Sequence, residues 1–465
     1  MAAGSRPDGR GFDLTNIVIG AIVGADIYIA SSITAGLVGP FALVVWLIAG
    51  VMATVLAIVF AYCSFYVPRA GGPFAYSSEA FNPFVGFVCG WSMWIAEIMA
   101  LPVFALAFVN YLGYFANMTT VEKGFVKAGF LFLLTAVNIY GVKAAGLLND
   151  ALTILKLLPL LVLIVVGLSW MAYHHGEARA NFSPFLPHGV HEAPTALVLI
   201  FWAYVGFELG TLPASEVADP KRTIPRAIVR GIVIVTLFYL LTNFVVYGVN
   251  PSPRLAATAV PLVLTGSVLM GSVGAHLMSV GAMISVSGSD ESSMLSTARL
   301  SHAMAAEGLL PRPFAWVHRR TKTPVVALAA QGSLAFLLSL YSGIPRLISF
   351  SVVCLGFSFL VCCLSLAVLQ RRSGEHLPGV HLLPWIGVPI CLYLLYAAPH
   401  RDQLAGGIVI VLGAAVYVPF APKVGLPALQ KELHIQRLAF LTGWRKEVRF
   451  LGGLFHMLRR LFGAV

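Results

Sequence analysis

The chain has 465 residues, with 30 Lys and Arg against 19 Asp and Glu, a formal net charge of +11. Charged side chains are 11% and hydrophobic ones 58% of the total, whereas soluble domains average roughly 25% charged. So few charges cannot cover that much apolar surface in water. This excludes a soluble enzyme or a disordered chain and leaves an all-α polytopic membrane protein.

Residues 1–13, MAAGSRPDGRGFD, form a short polar N-terminus without an apolar stretch and cleavage site. No removable signal peptide is expected, and the first apolar run serves as an internal signal-anchor. A hydrocarbon core of ~30 Å needs about 20 apolar residues per helix. On that measure spans fall at 14–37, 40–66, 84–112, 125–142, 149–172, 194–214, 226–248, 262–306, 324–342, 345–370, 381–397 and 404–420, about twelve in all. The eighth is long enough to continue as helix beyond the bilayer.

The first span contains residues 16–32, NIVIGAIVGADIYIASS, with the triplet Gly24-Ala25-Asp26 near its middle. The third span holds Glu97, and the fifth holds Lys156. The sixth contains residues 199–215, LIFWAYVGFELGTLPAS, with a second Gly-x-acid triplet, Gly206-Phe207-Glu208. The eighth holds Ser287, Asp290 and Glu291. Glycine is a weak helix former, and a carboxylate at bilayer depth costs at least ~2.5 kcal/mol. Two such interruptions, five spans apart, are the expected mark of discontinuous helices in an inverted-repeat transporter. A broken helix offers free N–H groups to an anion and free C=O groups to a cation. That makes a preformed site for a small zwitterion or amine.

The six cysteines all lie in apolar runs without CxxC or metal spacing and read as small buried hydrophobes. His174, His175, His188 and His191 in the third outer loop read as solvated, without metal context. Asn117-Met118-Thr119 matches a glycosylation sequon hard against a span end and is assigned nothing. With the N-terminus inside, 23 of the 30 Lys and Arg fall in cytoplasmic segments and 6 outside, with Lys156 inside the fifth span. This asymmetry places both termini in the cytoplasm and assigns the positive charge to topology rather than to nucleic acid. Residues 421–465 interleave bases with Leu, Phe and Trp (LQKELHIQRLAFL, WRKEVRFLGGLFHMLRRLF) and fit an amphipathic helix on anionic lipid.

Five stretches carry a family resemblance: IGAIVGADIY from 19, FYVPRAGGPFAYSSEAFNPFVGFVCGW from 65, FWAYVGFE from 201, EVADPKRTIPRAI from 216 and STARLSHAMAAEGLLPRPFAWVHRRTKTPV from 296. On them the chain resembles the amino acid–polyamine–organocation (APC) superfamily. The resemblance implies a LeuT-type five-plus-five inverted repeat over 14–372, with helices 1 and 6 broken, then two additional helices over 381–420. It implies secondary transport by alternating access, with substrate held between spans one, three, six and eight. The family usually carries a Gly-Ser/Thr-Gly triplet in the first break, whose amides hold a substrate carboxylate. Here the third position is Asp26, which would repel a carboxylate and attract an ammonium group.

The expected substrate site takes Val23, Gly24, Ala25, Asp26 and Ile27 from the first break. It takes Trp202, Ala203, Tyr204, Gly206, Phe207 and Glu208 from the second. Glu97 joins from span three, and Ser287, Asp290 and Glu291 from span eight. Asp26 has three open roles: contact with a substrate amine, ion coupling, or capping of the break. Glu208 and Glu97 could instead satisfy backbone groups, and Trp202 and Phe207 could simply pack. Buried acids of like sign cannot all ionise together cheaply. A lone ammonium at Lys156 is costly and needs a partner. The resemblance is to relatives whose fifth-span Lys stands where sodium-coupled ones hold sodium, which implies proton coupling; a fixed charge standing in for sodium in an exchanger and snorkelling to the cytoplasmic edge are the open alternatives.

The expectation is a plasma-membrane permease for amino acids or cationic amines and polyamines, working with protons. It needs no cofactor beyond a proton or ion gradient, and sodium remains open. Its partners are the small-molecule substrate and the lipid bilayer, with no nucleic acid. An exchanger is the first alternative, a non-transporting amino acid or amine sensor the second and an ion channel the third. No HExxH, GxSxG or paired-Cys pattern points to an enzyme.

Overall fold

The computed structural model describes residues 10–68, 71–140, 145–208, 220–321, 323–374 and 379–420. Among them there are helices and turns and no strand. The first apolar run forms two helices rather than one, α1 (Arg10–Ile22) and α2 (Asp26–Leu37), separated by Val23, Gly24 and Ala25. There follow α3 (Ala42–Tyr66), the short α4 (Pro73–Ala80), α5 (Pro83–Leu112), α6 (Thr120–Tyr140) and α7 (Ala145–Tyr173). After the outer α8 (His175–Asn181), the sixth run begins as α9 (Ala193–Trp202), only ten residues long. Then come α10 (Pro220–Val249), α11 (Ser252–Ala256), α12 (Pro261–Ala306), α13 (Val325–Tyr341), α14 (Ile344–Ser373), α15 (Leu383–Ala397) and α16 (His400–Phe420).

Eight of the described helices are long and apolar enough to cross a membrane. The other four predicted spans are the split first run, the more polar α6, and the shorter α9 and α13. Backbone polar groups in hydrocarbon must bond internally, so helices are the natural answer to this composition. Large apolar side chains point outward where lipid would lie: Phe132 is 76% exposed and Val411 68%.

Local sequence sets the helix ends. Asn82 caps α5 by accepting from the Val85 amide at 2.9 Å, and Pro83 follows at the first helical position. Thr119 and Glu122 form a reciprocal capping box at α6. Glu122 accepts from the Thr119 amide at 2.7 Å, and the Glu122 amide donates to the Thr119 hydroxyl at 3.3 Å. Gly374, at φ +67, closes α14 after Arg371 and Arg372 in its last turn.

The eighth run is helical over Pro261–Ala306, as long as its apolar sequence allows, but it is interrupted. It turns sharply at Gly271, whose φ of +61 suits glycine. Gly266 and Gly274 meet across the corner, each lying where a side chain on the other would strike backbone. At the centre, α5 packs along α12 and α14, α3 along α10, and α1 against α10 and α7. The broken segments are thus held between the long helices.

Lys127 of α6 is buried, and its ammonium donates to the Ser339 carbonyl at 2.7 Å. The six cysteines are free and buried. Among the described residues no group of His, Cys, Asp and Glu is arranged for a metal ion. The first nine residues, Lys143, 209–219 with the start of the EVADPKRTIPRAI motif, and the basic tail from 421 lie outside the described residues.

Candidate substrate site

A break in a buried helix frees carbonyls, and each must find a donor. Four of those around the first break are met by side chains. The Gly20 carbonyl accepts from Lys156 Nζ at 3.0 Å, and the Ile22 carbonyl from the Tyr239 hydroxyl at 3.3 Å. The Val23 carbonyl accepts from Ser289 Oγ at 3.0 Å and the Gly24 carbonyl from Ser285 Oγ at 3.2 Å. Four side chains from α7, α10 and α12 therefore hold open the gap between α1 and α2.

At the second break the chain leaves α9 through tight turns. The Ala203, Tyr204 and Val205 amides donate to the Ile200, Phe201 and Trp202 carbonyls at 2.9–3.0 Å. The Tyr239 hydroxyl that serves Ile22 also lies 3.2 Å from the Ala203 carbonyl, so one side chain bridges both breaks. The Gly206 amide donates to both Glu208 oxygens, at 3.0 and 3.1 Å. Gly206 sits at φ +117, and a Cβ there would come within 2.6 Å of the Ala21 carbonyl oxygen. The two interruptions are in backbone contact, and only glycine fits between them.

Where the breaks meet, a cavity opens with about 40 Å³ available to the centre of a water-sized sphere, enough for about three waters. Ala21, Ile22, Gly24 and Asp26 line it from the first break, and Trp202, Val205 and Gly206 from the second. α5 contributes Glu97, Ala100 and Phe104, α12 contributes Ser289, Ser292 and Ser293, and α14 contributes Ser351. Phe104 and Trp202 stand side by side with ring centroids 6.0 Å apart. Asp26 is the first residue of α2, where the half-helix N-terminus favours negative charge.

The structure therefore gathers Gly24, Asp26, Glu97, Trp202 and Gly206 at one cavity. The other expected residues stand behind it. Val23, Ala25, Ile27 and Ala203 are buried around the breaks. The Tyr204 hydroxyl donates to the Trp46 carbonyl at 3.0 Å. Phe207 packs between Phe60 and Phe359, its ring centroid 5.6 Å from each. Glu208 lies on the Gly206 amide, and both of its carboxyl oxygens accept from it. Ser287 turns back onto its own helix, donating to the Met283 carbonyl at 2.7 Å. Asp290 is fully buried with both oxygens unpartnered, and Glu291 is half-buried, accepting from Ser292 Oγ at 3.5 Å.

Lys156 does not reach for the membrane surface. It is buried, its ammonium divides between the Gly20 carbonyl and Ser289 Oγ, and the charges of Glu291 and Asp26 act on it from nearby. Sequence reasoning missed Tyr239 and the lining serines. The recurrence of Ser285, Ser289, Ser292, Ser293 and Ser296 along α12 was the available signal, since spacings of three and four share a helix face.

Two mutually supporting breaks inside an all-helical apolar bundle, enclosing a small cavity, are the arrangement of a membrane transporter with discontinuous helices. Residues 11–432 match the model of the amino acid permease family, and the chain belongs to that family, within the APC superfamily. Its members are transporters and not enzymes.

Among its relatives is a methylthioribose transporter of Bacillus subtilis, 26% identical over 442 residues, or 89% of this chain and 93% of that protein. A serine/threonine exchanger of the same organism is 29% identical, covering 87% of this chain and 93% of that protein. The human large neutral amino acids transporter small subunit 2 is 31% identical over 423 residues, 86% of this chain and 78% of that protein.

Proposed function

We propose that this permease carries a small cationic substrate, an amine, a polyamine or a cationic amino acid, by alternating access around the cavity between its two breaks. The observation that carries this reading is Asp26. It occupies the N-terminus of α2, where a substrate carboxylate would otherwise meet free amides, and it lines the cavity. A carboxylate already in that place disfavours a second one and favours an ammonium. Glu97 adds a second acid, and the Trp202 and Phe104 faces suit a cation or its methylene chain.

Transport runs on protons in this reading, and no cofactor takes part. Lys156 ties α7 and α12 to the end of α1 through Gly20 and Ser289. Loss of its proton removes the charge from that tie and frees α1 to rock. The protein lies in the lipid bilayer of the plasma membrane with both termini in the cytoplasm, as its Lys and Arg distribution favours.

The broken-helix family and the serine/threonine exchanger among the relatives favour exchange as the second mode. A thermal-shift screen of the purified protein against amino acids and amines tests the substrate class, because a ligand stabilises the fold it binds by an amount that grows with the logarithm of its concentration over Kd. Amines and cationic amino acids are expected to raise Tm, and Asp26→Gly to abolish the rise. Stabilisation by neutral amino acids alone, intact in Asp26→Gly, contradicts the reading.

A further inference from the structure

We propose that, within the cationic class, the cavity selects primary amines that carry no carboxylate and disfavours amino acids, cationic ones included. This rests on the amine reading of the cavity and narrows it to one chemical class.

The donors and acceptors on the cavity wall carry the inference. Four serine hydroxyls line the cavity, and a hydroxyl has one hydrogen to give. Each gives it to the protein. Ser289 Oγ donates to the Val23 carbonyl at 3.0 Å, Ser292 Oγ to the Gly288 carbonyl at 3.0 Å and Ser351 Oγ to the Ala96 carbonyl at 2.9 Å. Ser293 Oγ donates to Glu97 Oε2 at 3.2 Å. These hydroxyls therefore present lone pairs to a ligand.

The backbone of the second break is committed in the same way. The Val205 amide donates to the Trp202 carbonyl at 3.0 Å, and the Gly206 amide to the Glu208 carboxyl oxygens at 3.0 and 3.1 Å. At the first break, Asp26 Oδ2 stands 3.3 Å from the place of a Cβ on Gly24. A ligand carboxylate brought to the start of α2 would meet one already there. Glu97 adds a second acid from α5. Apart from these two carboxyl groups, the Trp202 indole N–H is the one side-chain donor left over among the described residues of the wall. Lys156 stands behind Ser289, to which it donates at 3.0 Å, and is not among the described lining residues. Residues 209–219, which continue the chain after Glu208, contain no Lys, Arg or His.

A primary ammonium brings three N–H donors to this wall of acceptors. A carboxylate brings further acceptors and a further negative charge, and an enclosed charge without a partner is strongly disfavoured. An α-amino acid must bring its carboxylate along with its amine, whatever charge its side chain carries.

Putrescine is L-ornithine without the carboxylate, so the pair isolates that group. Calorimetric titration of the full-length protein with putrescine, L-ornithine and L-leucine tests the selection. Putrescine is expected to bind about 100-fold or more tighter than L-ornithine. Glu97→Gln replaces a charged acceptor with a neutral group that can donate, and should narrow that ratio by about tenfold. Where the variant does not fold, the ratio in the wild-type protein decides. Equal affinity for the pair, tighter binding of L-ornithine, or a ratio unchanged in folded Glu97→Gln overturns the selection and leaves the cationic reading standing. Failure of both putrescine and L-ornithine to bind, with or without binding of L-leucine, overturns the two together.

Discussion

Gly206 concentrates the architecture of the site in one residue. Its positive φ and the Ala21 carbonyl 2.6 Å from the place of a Cβ leave no room for alanine. Gly206→Ala should cost about 2–4 kcal/mol, from the strained backbone and the overpacked contact. It should also abolish ligand-induced stabilisation, read as Tm with and without ligand. Lys156→Ala should abolish pH-driven accumulation in vesicles while leaving binding measurable; unchanged accumulation would count against its coupling role. At this scale the sequence was partly legible. Gly24, Asp26, Glu97 and Gly206 stood out because a glycine or an acid in an apolar run is locally expensive, whereas Trp202 was pointed to by the family resemblance. Tyr239 did not, because a tyrosine in a membrane helix is cheap, and its bonds to both breaks join residues far apart in sequence.

The interruptions in the first and sixth runs were legible as elements, and their positions follow from the two Gly-x-acid triplets. The corner at Gly271 was not, because one glycine among 44 carries no local mark of the positive φ it will adopt. Boundaries set by side-chain caps are testable piecewise. At α6, hydrogen bonds from the Thr119 amide and hydroxyl hold the exposed Glu122 carboxyl below the usual carboxylate range. A lowered value in the folded state means that its contribution is present at neutral pH and is lost as pH falls through that lowered value. Amide exchange in the first turn of α6 should therefore quicken on acidification, and Glu122→Gln should remove that pH dependence. An identical pH profile in the variant would sink the capping account. The serines of α12 show why the lining of a site is harder to read than its breaks. Serine is unexceptional in a membrane helix, and only the face it shares with the gap between α1 and α2 gives Ser285 and Ser289 their work.

For the whole molecule, composition alone settles the class. Eleven per cent charge points to a membrane protein, apolar runs of about 20 residues make it helical, and the packing of long helices around two short, interrupted ones is that of its permease family. What the bundle carries depends on a cavity whose acids come from two separate segments, Asp26 on α2 and Glu97 on α5. The direct test is counterflow in proteoliposomes loaded with unlabelled putrescine and presented with labelled putrescine outside. The account predicts saturable entry of label that other amines compete with and that Gly206→Ala eliminates. Absence of counterflow in the wild-type protein, or equal counterflow when the glycine between the breaks is replaced, would contradict it.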